Sequence, residues 1–289
     1  MYWKNISFFI SIICVLCSVI SIIMFGFNWS IDFTGGMLIN IHCDTLINID
    51  KVIFALKSIG LQNIQVNYLG GINDVIVRSS YFSNASIMFF SKKVLLALDQ
   101  YSVSKYNITS IQYVGPNSDN GLLQMFFIAL LLALCFIFFY ITIRFSWNLS
   151  VGIILSLLHD LLLTLGCISI FRIEVSPIII VSLLSIIGYS LNDSIVVSDR
   201  IRENTKKFKN LLFLDILNLS LTQVYSRTLM TSATTFSVAA ILYYFGNEII
   251  KNFSLTMMIG IFIGTLSSIY ISSSFSFQFY KTTGIKIKL

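Results

Sequence analysis

In the segment IIGYSLNDSIVVSDRIREN, residues 186–204, Asn192 and Asp193 sit inside an otherwise apolar run. A carboxylate in hydrocarbon is among the costliest groups a helix can carry, so such residues face protein or water and mark proton or ion pathways. A second acid, Asp160, stands beside His159 in LSLLHDLLLTLG, and Arg227 opens SRTLMTSATTF. An aspartate can exchange its proton, whereas an arginine keeps its own. Burial and a neighbouring guanidinium act on a carboxyl in opposite senses, so an Asp193–Arg227 ion pair would be switched by a small helix movement. That is the chemistry of a proton carrier.

The competing chemistries are weaker. An intramembrane aspartyl protease needs two acids sharing a proton; Asp160 and Asp193 are candidates, but SLN precedes Asp193 where a GxGD element is required. Cys14 and Cys17 imitate C-x-x-C inside an apolar run with no further ligands, which fits two small fillers better than a redox or zinc pair. Cys43 has no cysteine partner in the polar region, so no disulfide framework is implied. No cofactor or metal site is expected.

The elements that carry these residues are membrane spans. Of 289 residues 56% are hydrophobic and 11% charged, against about a quarter charged in a soluble domain. Six stretches approach the roughly 20 apolar residues that a span needs: 6–27, 122–143, 149–170, 177–197, 228–245 and 253–279. The first is too long for a signal-peptide core and lacks a small-residue cleavage site, so it reads as a retained anchor. The organisation expected is a cytoplasmic start and first span (1–27), an external domain (28–121), spans two to four (122–199), a basic and amphipathic linker (200–226), and spans five and six with a tail (227–289). Within the linker, residues 210–226 carry Asp215, Asn218 and Gln223 opposite a dense apolar face. A helix lying along the cytoplasmic interface is the expectation there.

In the external region, residues 37–43, 64–69, 74–80 and 108–114 read as strands by their β-branched content. Residues 50–60 and 86–101 have helical spacing, with Gly60 as a C-cap and Gly70-Gly71 as a turn between the central strands. The order β, α, β, β, α, β is that of a ferredoxin-like sandwich. Its acids Asp44, Asp50, Asp74 and Asp99 are scattered and His42 stands alone, so no catalytic constellation appears.

On the fourth span, helical spacing places Ser182, Ser185, Tyr189, Asn192 and Asp193 on one stripe, with Gly188 beside it. Asp193 lies sixteen residues past Pro177, roughly 24 Å along a helix. Ile195, Val196 and Val197 continue the apolar run beyond it, which argues against a hydrated helix end. For Asp160 a tilt of one turn leaves its depth open. The fifth span offers Arg227, Thr231, Thr234 and Thr235 as a matching hydroxyl-rich face. The sixth carries Gly260, Gly264, Ser268, Ser272 and Ser276 at four-residue intervals, a packing seam. Asp199, Arg200, Arg202 and Glu203 read as a solvated helix extension with modest pairing.

Orientation follows the positive-inside rule. With the amino terminus inside, the cytoplasmic side collects Lys4, Arg144, Arg200, Arg202, Lys206, Lys207, Lys209, Lys281, Lys286 and Lys288, while the opposite short loops keep Arg172 and Lys251. Both termini are then cytoplasmic.

These same residues carry a resemblance. FNWSIDFTGGMLINI, GYSLNDSIVVSDRIREN, SLTQVYSRTLMTSATT and FSLTMMIGIFIGTLSSIYISS, in this order, resemble the SecF branch of the bacterial SecD/SecF protein-export membrane proteins. The likeness runs nearly end to end; the short Lys-containing tail and the Ile/Asn-rich filler are where the sequence differs. It implies a member of the resistance-nodulation-division superfamily in the bacterial inner membrane, paired with SecD and associated with the SecYEG channel and YajC. The implied activity is proton-motive-force-driven assistance of late export of unfolded proteins, without enzymatic turnover. By position Asp193 matches the family's proton-linked aspartate and Arg227 its fifth-span arginine. Asp32, Phe33, Thr34, Gly35 and Gly36 match the family signature where the chain passes into its first external strand. A small-molecule exporter subunit and an uncoupled scaffold of the translocon are the alternatives.

Overall fold

The computed structural model describes residues 4–43, 49–58, 64–68, 73–79, 87–101, 106–114, 119–208 and 210–283. The chain divides into two compact units, Trp29–Phe127 on one hand and Met1–Asn28 with Ile128–Leu289 on the other.

In the first of these, strands β1 (Gly36–Cys43), β2 (Gln65–Tyr68), β3 (Asp74–Ser79) and β4 (Tyr106–Val114) alternate with helices α1 (Ile49–Ser58), after β1, and α2 (Ile87–Tyr101), after β3. The sheet order is β2-β3-β1-β4, every pairing antiparallel. Met37, Ile39 and Ile41 alternate inward along β1 and meet Val75 and Val77 of β3, as the two-residue period of a strand requires. Val52, Ala55 and Leu56 of α1 and Val94 and Leu98 of α2 close over this face, each set spaced three or four residues apart as one helix face demands. A bulge between Asn40 and Ile41 of β1 shifts the register against β4. There the Asn40 amide donates to Ser110 Oγ at 2.9 Å. His42 is paired after all: it faces Asp74 across the strands, with Nδ1 2.5 Å from Oδ1. Gly60 and the Gly70-Gly71 turn lie outside the described residues.

Leu56 is fully buried in this core. Leu56→Ala is expected to destabilise the unit by about 3 kcal/mol, the usual range for a Leu-sized cavity. The check is hydrogen exchange of the β1 and β3 amides in the whole protein, which should accelerate about a hundredfold if they exchange by opening of the unit.

The other unit holds most of the six helices that are long and apolar enough to cross a membrane: Phe8–Phe25, Gln124–Arg144, Leu149–Ile170, Pro177–Lys207, Phe213–Phe245 and Ile249–Gln278. They are called the first to sixth spans below. Pro177 occupies the first turn of the fourth, where its missing N–H leaves no bond unmade. The helix then runs unbroken through Asp193 to Lys207.

The separate interfacial helix expected over residues 210–226 does not form. Phe213 to Phe245 is one continuous helix of 33 residues. Asp215, Asn218 and Gln223 lower local hydropathy without breaking a helix, and no Gly or Pro interrupts the segment. Its buried residues Phe213, Ile216, Leu217, Ser220, Val224, Thr228 and Ser232 recur every three or four positions along one face. At the fourth–fifth turn, the Asn204 amide donates to Ser220 Oγ and Gln223 Oε1, both at 2.8 Å. Arg144 and Arg202 each lie 3.5 Å from Asp199, and Arg200 lies 2.7 Å from Glu203.

Two seams of small residues bring the helices close. Ser18 and Ser21 of the first span lie against Gly166 and Ser169 of the third. The sixth-span ridge is divided: Gly260 and Gly264 face Ile186 and Ser190 of the fourth span, whereas Ser272 and Ser276 face Gly152 of the third. Between them Ser267–Ile271 forms a π-turn. Its wider hydrogen-bonded ring shifts the rotational register of a helix, and such turns are frequent at functional sites.

Candidate functional site

The buried face of the fourth span is built of Ser182, Ser190, Asp193, Ser194 and Ser198, with Ile186, Ile187 and Val197 between them. Asp193 is 2% exposed, sheltered as its periodicity requires. Ser182 is sheltered with it, but Ser185, Gly188 and Asn192 are exposed and Tyr189 lies at the edge. At 100° per residue, Ser185 and Asn192 stand roughly 80 to 100° around the axis from Asp193. The expected stripe is therefore split, with Ser182 and Asp193 on the buried side and Ser185 and Asn192 off it. The four-residue recurrence Ser190, Ser194, Ser198 was the available signal for the buried side.

The partner of Asp193 also differs from expectation. Among the described residues no ion pair joins it to Arg227, which is exposed on the fifth span. The guanidinium acts on the carboxyl only through space. Instead Ser232 Oγ donates to Asp193 Oδ2 at 3.4 Å, and Thr265 Oγ1 of the sixth span donates to Ser232 Oγ at 2.8 Å. These hydroxyls connect three spans, and each shares its single proton with a carbonyl of its own helix, Ser232 with Thr228 at 2.8 Å and Thr265 with Ile261 at 2.7 Å. Thr231 is half-buried; its hydroxyl also reaches the Asp193 carboxyl and lies 3.2 and 3.0 Å from the carbonyls of Arg227 and Thr228. Thr234 points outward, and Thr235 bonds its own helix at 3.0 Å. The fifth-span face turned to the bundle is Thr228 and Ser232, with Thr231 at its edge.

Asp160 belongs to a second cluster. It is 1% exposed on the third span. Ser190 Oγ of the fourth span donates to its Oδ2 at 2.5 Å, and His159 Nδ1 lies 3.2 Å from its Oδ1. Ser190 is one turn from Asp193, so the two acids occupy neighbouring turns of contact with the fourth span.

In the α+β unit the signature Asp32 to Gly36 forms a compact turn. Ser30 caps a one-turn helix over Ile31–Thr34, its Oγ accepting from the Asp32 N–H at 3.4 Å and donating to Asp32 Oδ2 at 3.1 Å. Phe33 is buried and meets Trp29 edge to face at 5.6 Å. Gly35 and Gly36 have φ of +69° and +155°, values that residues with a Cβ rarely adopt. The paired glycines thus follow from the reversal that leads the chain into β1.

A bundle of apolar helices around buried carboxylates and hydroxyls, with a separate α+β unit, defines a polytopic α-helical membrane protein whose polar interior is suited to ion or proton chemistry. Comparison with known proteins gives its lineage. The family model "Protein export membrane protein SecD/SecF, C-terminal" matches residues 92–282, and the "SecD/SecF GG Motif" matches residues 20–45. The protein translocase subunit SecF of Escherichia coli O157:H7 is 39% identical over 96% of this chain and 86% of its own. That of Haemophilus influenzae is 38% identical over 95% and 84%. A crystal structure of SecDF from Thermus, described as a translocon-associated membrane protein, superposes with a TM-score of 0.85 at 30% identity over 97% of this chain. A SecDF structure in a super-membrane-facing form gives 0.70 at 29% identity over 98%. This chain spans 38% and 39% of those two solved chains. The chain belongs to the SecD/SecF family of protein-export membrane proteins.

Proposed function

We propose that this chain is the SecF-type accessory subunit of the Sec protein translocase, which with SecD uses the proton motive force to promote export of unfolded proteins. The observation that carries the reading is the near end-to-end likeness to translocase subunits SecF, with a buried acid, Asp193, where a proton-linked residue is needed. Asp193 is the proton-coupling group and Arg227 modulates it through space; Thr231 supports it from the fifth span, Asp160 is a second acid one turn along the fourth-span contact, and Ser185, Tyr189 and Asn192 carry the polar surface of the fourth span outward. Moving one charge through 100 mV is worth about 2.3 kcal/mol, enough to bias a two-state helix arrangement held by a few hydrogen bonds.

SecD is the first partner. The solved SecDF chains are more than twice as long as this one, so their remaining part supplies a neighbour that a separate subunit would supply here. Exposed Ser185, Asn192 and Arg227 on the surface of an apolar bundle support a protein rather than lipid beside them. SecYEG, YajC and the translocating chain complete the assembly. In this reading the protein lies in the bacterial inner membrane with both termini cytoplasmic. Residues 28–121 form a periplasmic domain of ferredoxin-like type, whose strand order β2-β3-β1-β4 supports that assignment.

Inverted membrane vesicles prepared with and without this chain test the proposal. A proton gradient should stimulate uptake of a secretory precursor only in vesicles that contain the chain together with SecD. Equal stimulation in its absence overturns it.

A further inference from the structure

The structure assigns an anionic phospholipid to the crevice between the second and third spans, with an acyl chain between the helices and its headgroup against Arg144. The two helices follow one another with only Phe145 and Ser146 between them. Next to that turn Phe138 of the second meets Trp147, the first residue of the third helix, edge to face at 6.3 Å. Farther from the turn they bound a crevice of about 630 Å³, lined in part by Leu131, Cys135, Phe138, Ile154, Leu157 and Leu158. Among the described residues only 6% of the second span is buried, against 56% of the third.

The lining is Leu, Ile and Phe with one Cys, and apart from that thiol it offers no hydrogen-bonding or charged side chain among the described residues. Helices in a membrane approach one another on small residues, as Gly166 does with Ser18 and Gly152 with Ser276 in this bundle. No Gly, Ala or Ser of the described residues lines the crevice. Its bulky walls suit a flexible acyl chain better than a further helix.

The end of the crevice nearest the turn is positively charged. Ile137, on its wall, precedes Arg144 by seven residues, which places both on one helix face, roughly 10 Å apart along the axis. Arg144 is exposed over 44% of its side chain. Arg144 and Arg202 each lie 3.5 Å from Asp199, and each rests over the Phe145 ring at 5.8 Å. Two guanidiniums thus share one carboxylate, and the cluster keeps a net positive charge. Arg144 turns one N–H toward Asp199; a guanidinium has several more, in a fork that matches two phosphate oxygens. Trp147, exposed beside Arg144, is of the residue type that settles among lipid headgroups. A phosphodiester with net negative charge complements the cluster, whereas a zwitterionic lipid fills the crevice without that gain. The assignment rests on the spans crossing a membrane and stands whether or not the chain drives export.

In the test, the full chain purified in detergent is titrated with phosphatidylglycerol or phosphatidylcholine of identical acyl chains, and the lipid retained per chain is read by native mass spectrometry. Phosphatidylglycerol should be retained about fivefold more strongly, the contribution of one basic residue near an anionic headgroup. Arg144→Gln, which leaves Arg202 and Asp199 as a neutral pair, should erase that preference, and Arg144→Lys should keep most of it. Leu158→Trp, which fills the crevice from an exposed position, should weaken retention of both lipids. Equal retention of the two lipids, a preference that survives Arg144→Gln, or retention indifferent to Leu158→Trp would each overturn the proposal. So would displacement of the lipid by water-soluble glycerol phosphate, which would make Arg144 a headgroup site with no acyl chain. A photoreactive benzoylphenylalanine at position 158, in membranes that also contain SecD, should yield a lipid adduct; a protein adduct in its place overturns the assignment.

Discussion

Asp193→Asn is expected to abolish the stimulation of export by a proton gradient while leaving the chain folded and inserted. The substitution keeps the size of the side chain, and an amide oxygen still accepts from Ser232 Oγ, the contact that Asp193 Oδ2 makes at 3.4 Å. What it removes is the ability to gain and lose a charge. Any structural role therefore survives and any proton-linked role does not, so the two are separated by one variant. The readout is precursor uptake by inverted vesicles with and without a gradient. The stimulated fraction should disappear, and the uptake that needs no gradient should remain. Undiminished stimulation would leave the chain as a scaffold. Arg227→Met belongs in the same assay with a smaller expected loss: the guanidinium is exposed and reaches the carboxyl only through space. The hydroxyl contacts of Thr265 and Ser232 stay intact without it.

Gly152→Leu is expected to be the most damaging single change to the bundle. A Cβ at Gly152 would stand 2.8 Å from the Ser272 carbonyl oxygen and 3.1 Å from the Ser276 nitrogen. Both are backbone atoms and cannot rotate aside, so the third and sixth spans must separate. Overpacking commonly costs about 1 to 3 kcal/mol and more where the backbone itself must move. Separation would also stretch the 2.6 Å contact between Ser156 and Ser267, one turn from Asp160. The measurement is the thermal stability of the purified chain in detergent, which should fall sharply, together with weaker gradient-dependent uptake. Gly188→Ala is the control. Nothing lies within 4 Å of a Cβ there, and alanine is the better helix former by about 1 kcal/mol, so stability should hold or rise.

Much of this arrangement was legible in the residues. Hydropathy windows located six spans because transfer into lipid depends on composition over about 20 residues, wherever the neighbours lie. β-Branched content and period-3.6 spacing likewise placed four strands and two helices, and Gly35-Gly36 marked a turn into the first strand that the positive φ values require. The same windows misread residues 213–226, because they register the cost of Asp215, Asn218 and Gln223 in lipid and are blind to helix continuity. His42 looked solitary because Asp74 is distant in sequence and adjacent only once β1 and β3 are in register.

The sequence by itself determined that Asp193 is sheltered, since an acid bounded by apolar residues on a spanning helix must turn inward. Only the tertiary structure decided what it meets. Helical periodicity assigns a residue to an arc of the helix surface, whereas the rotation of each helix about its axis is set by close packing at Gly166, Gly152, Gly260 and Gly264. That rotation turns Thr228 and Ser232 inward, keeps Thr231 at the edge of the carboxyl and leaves Arg227 outside. Packing also carries Ser190 to Asp160. Those contacts join spans whose relative rotation no single-helix pattern encodes.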